Sequence, residues 1–360
     1  MNKFNFVLGN PPYQMESQVQ SETNGQNPMT NIFQYFQMEA DKVATNSTVM
    51  IYPGSRWIHQ SGKGLQAFGK EQINSPELSS VDYYPDASDI FDAAIDGGVT
   101  IVVKSKHHSS GHFRYTYNYE GQSQTVLVEP PGDELLPLDP SDLSIVHKVS
   151  EFVANNSLTY LCDRILPRTL FGIESEFAER NPDKVRPYVN DDEVDYSHEI
   201  KLFTNDRAGK KGRAKWFVTD IQNLEGKEHY IREWQVAVSS ANAGGQKRDN
   251  QLAVFDSRSA FGRARVALGS FKTEQEAENF YKYCSAKMIR YLFLLTNEAL
   301  SSLGKRVVDM GSYDRNEYID FSKDIDSQLF KLFNLTNEEI MHGVSTIKDI
   351  DGRRGKGVSE

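Results

Sequence analysis

The chain has 360 residues, enough for two domains, and a formal net charge of −10, which argues against a general coat protein for nucleic acid but permits a local basic cleft. Its two cysteines, Cys162 and Cys284, lie far apart and lack the spacing of metal ligands, so we expect a reduced protein without a metal site. No apolar run approaches the ~20 residues of a membrane span, and no signal peptide precedes the first predicted strand, which together predict a cytoplasmic protein.

Residues 4–8 form a short apolar run that predicts a buried strand. The sequence Asn10-Pro11-Pro12-Tyr13 follows as a loop at the carboxyl end of that strand, where open α/β sheets bind their ligands. Each proline fixes φ and lacks an N–H donor, so the loop is stiff and its carbonyl groups are available as acceptors.

This loop suits the activation of an exocyclic amino group on a planar base. Such an amine is a poor nucleophile because its lone pair is delocalised into the ring. The side-chain oxygen of Asn10 and the carbonyl of Pro11 can each accept one N–H, which favours a tetrahedral nitrogen whose lone pair faces an electrophile. Tyr13 offers a ring face on which an extruded base can stack. No carboxylate base is needed, since the nitrogen can lose its proton after it becomes cationic.

Predicted strands and helices alternate after this loop. Apolar residues recur at helical spacing over residues 30–43, and strands are predicted at residues 49–52, 78–84 and 99–103. This order predicts an α/β fold with a mostly parallel sheet.

Aromatic residues alternate with polar ones from Phe113 to Tyr119, which predicts a hairpin with residues 125–128. They form either one packed face of an antiparallel sheet, which we favour, or a stacking platform for nucleic acid. Residues 130–140 are rich in proline and predict a linker. We therefore divide the chain into a first domain, residues 1–145, and a second domain, residues 146–360.

The motif Asn10-Pro11-Pro12-Tyr13 resembles the catalytic loop of amino-group methyltransferases that use S-adenosylmethionine. Four later features follow in the order typical of adenine-N6 DNA methylases of type II, IIG-like, restriction–modification systems. They are a helix of the type Asn31-Ile32-Phe33-Gln34-Tyr35-Phe36, a strand that ends at Pro53, the segment Ile90-Phe91-Asp92, and the strand that follows Gly97-Gly98. The resemblance implies the carboxyl-terminal half of a Rossmann-like methyltransferase sheet, with double-stranded DNA as substrate and a flipped adenine as target.

Two departures from that family pattern matter. A glycine-rich loop and an acidic residue, which hold S-adenosylmethionine in the family, should precede Asn10, but almost nothing does. We therefore expect either a separate subunit that carries the cofactor-binding half or a truncated reading frame, and the first strand should expose an edge or an apolar face. Where relatives place an aromatic beside the flipped base, this chain has His107, which is a weak substitute for base stacking. Two solvated histidines, His107 and His108, are the alternative that we favour.

The second domain carries basic segments on an otherwise acidic chain. Its candidate DNA-binding residues are Lys210, Lys211, Arg213, Lys215, Arg258, Arg263 and Arg265. Such clusters are typical of phosphate contact, although a solvated loop has the same composition. A capping box at residues 273–276 predicts a helix to about residue 303, and Thr336 predicts the cap of a last helix. This closing pattern resembles a TaqI-like specificity domain, which implies a mixed α+β target-recognition domain.

Two functions follow from these observations. The first is site-specific methylation of adenine N6 in DNA within a restriction–modification system, with S-adenosylmethionine as cofactor. The alternative is a catalytically inactive DNA-binding specificity subunit or truncated pseudo-enzyme, which the absent cofactor loop favours. No spaced set of carboxylates and lysine follows a strand pattern, so the sequence does not predict a nuclease.

Overall fold

The computed structural model describes residues 3–16, 29–62, 64–92, 95, 97–209, 211–225, 228–245, 249–296, 300, 302–345 and 347. The chain divides into two compact units, Met1–Leu143 and Ser144–Glu360. Our predicted boundary, after residue 145, lies two residues beyond this division. The roles that we predicted for the two units stay predictions.

The first unit contains most of its strands in one mixed sheet. Its elements are β1 (Phe4–Gly9), β2 (Gln14–Glu16), β3 (Met29–Asn31), α1 (Phe33–Val43), β4 (Ala44–Pro53), α2 (Gln66–Ile73), β5 (Leu78–Tyr84), β6 (Val99–Ser105), β7 (Phe113–Tyr119) and β8 (Gln122–Val128). The main sheet has the order β1-β4-β6-β5-β7-β8, and β2 pairs with β3 in a separate two-stranded ribbon. The predicted helix and strands are therefore present, and β5 has the predicted bounds.

The sheet is mixed, so our prediction of a mostly parallel sheet was wrong. β1 is parallel to β4 and β5 is parallel to β7, but β6 is antiparallel to both of its neighbours. Among the described residues between β5 and β6, the chain forms a 3₁₀ turn at Ala87–Asp89 in place of an α-helical crossover. Without such a crossover the returning strand enters the sheet antiparallel.

One face of β1 packs into the core and the other does not. Val7 contacts a core cluster that includes Phe33 and Met50. On the opposite face Phe4, Phe6 and Leu8 are 56%, 61% and 73% exposed. The prediction of a fully buried strand was therefore wrong, whereas the expected edge strand with an exposed apolar face is confirmed.

The second unit combines small sheets with helices. Its elements are α3 (Leu143–Asn155), which begins at the division, β9 (Thr159–Tyr160), α4 (Phe177–Arg180), β10 (Val185–Pro187), β11 (Glu199–Asn205), β12 (Ala214–Asp220), β13 (Trp234–Ser239), β14 (Ala253–Phe255), β15 (Ser259–Phe261), β16 (Arg265–Phe271), α5 (Glu274–Ser285), α6 (Lys287–Leu294), β17 (Val308–Asp309), α7 (Ile325–Leu332) and α8 (Asn337–Ser345). The sheets have the orders β10-β12-β11-β15, β14-β13-β16 and β17-β9.

The long helix predicted from residue 273 to about 303 is interrupted. Ala286 takes an extended conformation with ψ of 141°, so α5 ends and α6 begins there. The Asp326 carboxylate accepts hydrogen bonds from the N–H groups of Lys287 and Met288, at 3.0 and 2.8 Å. These bonds satisfy donors that a helix start leaves open, which stabilises the break.

Both predicted helix caps are present. Thr273 and Glu276 form a complete capping box at the start of α5. Before α8, Thr336 Oγ1 accepts from the Glu339 N–H at 3.2 Å, and Glu339 Oε2 accepts from the Thr336 N–H at 2.7 Å. Glu339 also accepts from Ser144 and, at 2.7 Å, from Lys148 Nζ, so it joins α8 to α3.

We predict that Glu339→Gln destabilises the protein by about 1–2 kcal/mol at neutral pH, because charge-assisted hydrogen bonds are lost. Burial alone would raise the pKa of Glu339, but hydrogen bonds from Lys148, Ser144 and the Thr336 N–H lower it to about 2, below its ordinary value of 4.5. The wild-type advantage should therefore be full above pH 4.5 and should vanish as the pH falls through about 2. Urea unfolding followed by circular dichroism measures both effects.

Glu338→Gln is the matched control, since Glu338 is exposed on the same helix. Equal loss of stability in both variants would contradict the role of Glu339.

Candidate active site

The site lies at one edge of the first unit's main sheet. Four strands end at this edge, namely β1, β4, β5 and β7, and β6 begins there. The register shows this, because Pro53 and Tyr84 both pair with Val99 at the start of β6, and Tyr83 pairs with Tyr117 near the end of β7. The loop Asn10–Tyr13 leaves β1 just beyond the pairing of Gly9 with Met50. The sheet thus brings the predicted catalytic loop and the loops after β4 and β5 to the same edge.

The catalytic loop is fixed at both ends. Before the loop, Gly9 packs so closely on Met50 that an added Cβ would lie 3.1 Å from the thioether sulfur. After it, the Tyr13 carbonyl accepts from the Ile32 N–H at 3.1 Å, and Gln14 pairs with Asn31 across β2 and β3. The loop is therefore held in place although its first residue is exposed.

The loop presents two oxygen acceptors and one ring. Asn10 is exposed, Pro11 is buried and Tyr13 is half-buried against the core. Among the residues that the structure describes, none donates a hydrogen bond to the Asn10 side chain or to the Pro11 carbonyl. Burial raises the pKa of the Tyr13 hydroxyl, so the ring is a neutral phenol at neutral pH. This arrangement can bind a two-proton donor, such as an amine, beside a partly exposed aromatic face.

Glycines let the neighbouring loops close over the sheet edge. The Gly54 N–H donates to the Gly98 carbonyl at 2.7 Å, which ties the end of β4 to the start of β6. Both glycines have positive φ, +51° and +77°, and a Cβ on Gly98 would lie 2.0 Å from the Tyr84 carbonyl oxygen. A side chain at position 98 would therefore force β5 and β6 apart beside the catalytic loop.

The register contradicts the base-stacking role that we predicted for His107. Ser105, at the end of β6, pairs with Ser47 near the start of β4, and the Lys106 N–H donates to the Asn46 carbonyl. Because β6 runs antiparallel to β4, His107 lies at the opposite end of the sheet from Tyr13, about 20 Å along the strands. His107 is exposed there, as the favoured alternative of solvated histidines predicts.

Tyrosines occupy the catalytic edge further along the sheet. Tyr83 and Tyr117 have ring centroids 5.9 Å apart, and Tyr117 and Tyr119 stack at 6.2 Å. Phe113 and Tyr115 are buried in the same core cluster as Tyr83, and Tyr117 packs against it, so for these residues of β7 the favoured packed face is confirmed. Tyr119 is 50% exposed. Sequence reasoning did not place these tyrosines at the catalytic edge, because only the strand directions reveal which end of β7 lies there.

The predicted DNA-binding residues of the second unit occupy three different environments. Lys211, Arg213 and Lys215 are exposed on the β11–β12 hairpin and its loop, while Lys210 lies outside the described residues. Arg263 lies at the same end of this sheet, half-exposed.

The other two arginines of the predicted set, Arg258 and Arg265, lie in different surroundings. Arg258 is exposed at the opposite end of β15, with its guanidinium 4.8 Å from the Tyr196 ring centre. Arg265 is buried, lies 5.1 Å from the Phe203 ring centre and donates to the Gln251 carbonyl at 2.7 Å. Burial lowers the pKa of Arg265 to about 10. Its position therefore offers no support for the predicted phosphate contact.

Among the residues that the structure describes, β1 has one partner strand, β4, and no strand pairs with its outer edge. The described part of the chain also contains no group of three His, Cys, Asp or Glu residues that could hold a metal ion. No helix among the described residues is long and apolar enough to cross a membrane.

Comparison with known families supports part of the resemblance. Residues 1–91, which include the catalytic loop, match the family model described as Eco57I restriction-modification methylase. This match confirms the similarity to restriction–modification methylases for that part of the chain. No curated protein matches the chain significantly.

Three solved structures similar to this chain are proteins of restriction–modification systems. The type IIL enzyme MmeI in complex with DNA matches at a TM-score of 0.41 and 8% identity, over 96% of this chain and 55% of that chain. The type IIG endonuclease BpuSI matches at 0.32 and 12%, over 93% and 48%. A type I methyltransferase subunit from Streptococcus thermophilus matches at 0.26 and 15%, over 35% of this chain and 29% of that chain. The present chain thus spans about half of the first two and less than a third of the last.

We predict that Gly98→Ala strongly destabilises the first unit, by about 3 kcal/mol or more. The alanine would have to adopt a left-handed conformation, and its Cβ would in addition clash with the Tyr84 carbonyl oxygen. Thermal unfolding of the purified chain measures the loss. Gly111→Ala is the matched control, since Gly111 has φ of +72° but no atom within 4 Å of an added Cβ. Gly111→Ala should lower the free energy of unfolding only by the strain of the left-handed conformation, about 1 kcal/mol. A similar loss in both variants would show that close packing at Gly98 is unimportant.

Proposed function

We propose that this chain supplies the catalytic loop and the DNA-contacting domain of an adenine-N6 DNA methyltransferase within a restriction–modification system. The observation that carries the proposal is the pair of unoccupied acceptors on Asn10 and Pro11, fixed at the tip of β1 beside the half-exposed ring of Tyr13. The match of residues 1–91 to a restriction–modification methylase family supports the same assignment.

Asn10 and Pro11 would hold the target amine in a reactive geometry. Asn10 Oδ1 and the Pro11 carbonyl each accept one N–H of the adenine 6-amino group, which withdraws its lone pair from the ring and directs it away from the loop. Tyr13 stacks on the extruded base and stands in for the neighbours that the base loses from the helix. S-adenosylmethionine, when bound, supplies an electrophilic methyl group. The surplus amine proton leaves to water, so no carboxylate is required.

We propose that a further polypeptide, which carries the cofactor-binding half, packs against β1 and supplies the site for the methyl donor. No described strand pairs with the outer edge of β1, so a parallel or antiparallel strand from that polypeptide can add to the sheet there. Phe4, Phe6 and Leu8 add an apolar face to that edge. A sheet extended across β1 would place its own strand ends beside Asn10, where the donor must lie.

A catalytically inactive DNA-binding specificity subunit is the second candidate. The edge of β1 with which no described strand pairs favours it. Isothermal titration separates the two candidates when S-adenosylmethionine and duplex DNA are added to the chain with and without the cofactor-binding polypeptide. Donor binding and adenine methylation in the mixture support the enzyme, whereas DNA binding alone in every mixture supports the inactive subunit.

We predict that Asn10→Ala lowers adenine methylation by about 100-fold or more, since one of two oxygen acceptors of the amine is lost. Tyr13→Ala should lower it as well, but Tyr13→Phe should retain most activity because stacking needs the ring and not the hydroxyl. The measurement is transfer of labelled methyl groups to duplex DNA, with N6-methyladenine identified by mass spectrometry. Full activity of Asn10→Ala would refute the proposed role of the loop.

We predict that Leu8→Glu prevents assembly with the cofactor-binding polypeptide, because a charge would be buried at the centre of the new interface. Leu127→Glu is the matched control, since Leu127 is 74% exposed on β8, the strand at the other edge of the same sheet. Analytical ultracentrifugation of the mixture measures assembly. If Leu8→Glu assembles as well as the wild type, or Leu127→Glu equally fails, β1 is not the interface.

A further inference from the structure

The second unit has a basic edge on its sheet β10-β12-β11-β15. We define the basic edge by the cationic residues at or beside the ends of β11 and β15 and the start of β12. These residues are Arg168, Arg207, Lys211, Arg213, Lys215 and Arg263.

Strand directions collect these residues from three parts of the chain. β11 and β15 are parallel, with Phe203 opposite Phe261, so both strands end at this edge. β12 is antiparallel to β11, with Asn205 opposite Ala214, so the intervening hairpin loop lies at the same edge. The Gly262 N–H then donates to the Phe203 carbonyl at 2.9 Å, which fixes the segment that leads to Arg263.

Arg168 and Arg263 form a fixed pair at this edge. Arg168 Nε donates to the Arg263 carbonyl at 2.8 Å, and Arg263 Nη1 donates to Glu174 at 2.7 Å. The Arg263 N–H donates to the Ile173 carbonyl at 2.9 Å, so the two backbone segments run side by side. Burial, together with the nearby charge of Arg263, lowers the pKa of Arg168. Arg263 forms an ion pair with Glu174, whereas Arg168 donates to a neutral carbonyl, so the two guanidinium groups keep a net positive charge that an anion would neutralise.

The adjoining hairpin loop is held in shape by carboxylates. Asp206 accepts from Lys215 Nζ at 2.7 Å and from the Arg213 N–H at 2.9 Å, and Glu179 accepts from the Ala208 N–H at 2.8 Å. The hydrogen bond from Lys215, with that from Arg213, lowers the pKa of Asp206 to about 2, so this carboxylate is charged at neutral pH. These contacts fix the loop while Arg207 and Lys215 stay more than half exposed, at 57% and 59%.

We infer that the basic edge binds the phosphate backbone of duplex DNA, with Arg168 and Arg263 as a paired phosphate clamp. The inference rests on the proposed function, because it assumes that this unit contacts DNA. A guanidinium group donates two parallel hydrogen bonds to phosphate, so two of them side by side can hold one phosphate or two successive ones. Lys211, Arg213 and Lys215 continue the positive charge along the backbone.

The opposite edge of the same sheet lacks this excess of charge. There Lys201 Nζ lies 2.8 Å from Asp256 and 3.3 Å from Asp191, and the Arg258 guanidinium lies over the Tyr196 ring. Here two carboxylates surround one lysine, whereas the six cationic residues of the basic edge lie beside three carboxylates, those of Glu174, Glu179 and Asp206. The basic edge therefore attracts phosphate more strongly. A variant of Arg258 therefore serves to compare DNA binding at this edge with DNA binding at the basic edge.

Fluorescence anisotropy with a labelled mixed-sequence duplex, titrated with the full chain at several KCl concentrations, tests the inference. Arg168→Ala and Arg263→Ala should each weaken binding several-fold and reduce the slope of log affinity against log salt by about 1. Arg263→Lys should preserve most of the slope, since the charge remains, but should bind more weakly than wild type because the planar fork is lost. Arg258→Ala, at the opposite edge of the sheet, should reduce affinity and slope less than either of these two alanine variants does.

Thermal unfolding first establishes that each variant is folded. Unchanged affinity and slope in both Arg168→Ala and Arg263→Ala overturn the inference, as does a loss confined to Arg258→Ala. If the expected pattern holds while no adenine is methylated with any cofactor-binding polypeptide, the basic edge stands and the proposed enzyme fails. If adenine is methylated but the two alanine variants bind DNA as wild type does, only the basic edge fails.

Discussion

The candidate site of the first unit depends on the pairing of β1, which has a described partner strand along one edge only. Strand β1 has a partner, β4, on one edge, and its other edge is open within the described residues. A strand with one open edge leaves alternate N–H and C=O groups to water and is a template for another strand. In β1 this open edge coincides with three exposed apolar side chains and leads directly into the catalytic loop. The predicted catalytic loop is therefore attached to a strand whose second edge no described strand covers.

That coincidence has a physical logic. In the proposed reaction a methyl donor approaches the target amine along one line, and the loop at residues 10–13 can be approached from the side of β1 that no described strand covers. The other side is closed by the tie between Gly54 and Gly98 and by the buried aromatic core beneath them. Completion of the sheet and completion of the active site would then be a single event, in which burial of Phe4, Phe6 and Leu8 provides the driving force.

Local patterns in the sequence were sufficient where the cause is local. The caps at Thr273 and Thr336 depend on residues three positions apart, and β5 ends directly before Pro85, so all three were predictable. Predictions failed where the local conformation depends on a residue that is distant in sequence. The break at Ala286 depends on Asp326, and the antiparallel course of β6 depends on pairing with β4 and β5.

The same difference between local and distant causes applies to the residues of the candidate site. The loop at Asn10–Tyr13 was predictable because its chemistry lies within four residues, whereas the position of His107 required the direction of a strand. The basic edge extends this argument. Arg168 has no neighbour in sequence that marks it as a phosphate ligand, and it becomes one only because the fold sets it against Arg263, ninety-five residues away. Electrostatic sites assembled from separate segments need the fold first, and net charge alone, here −10, conceals them.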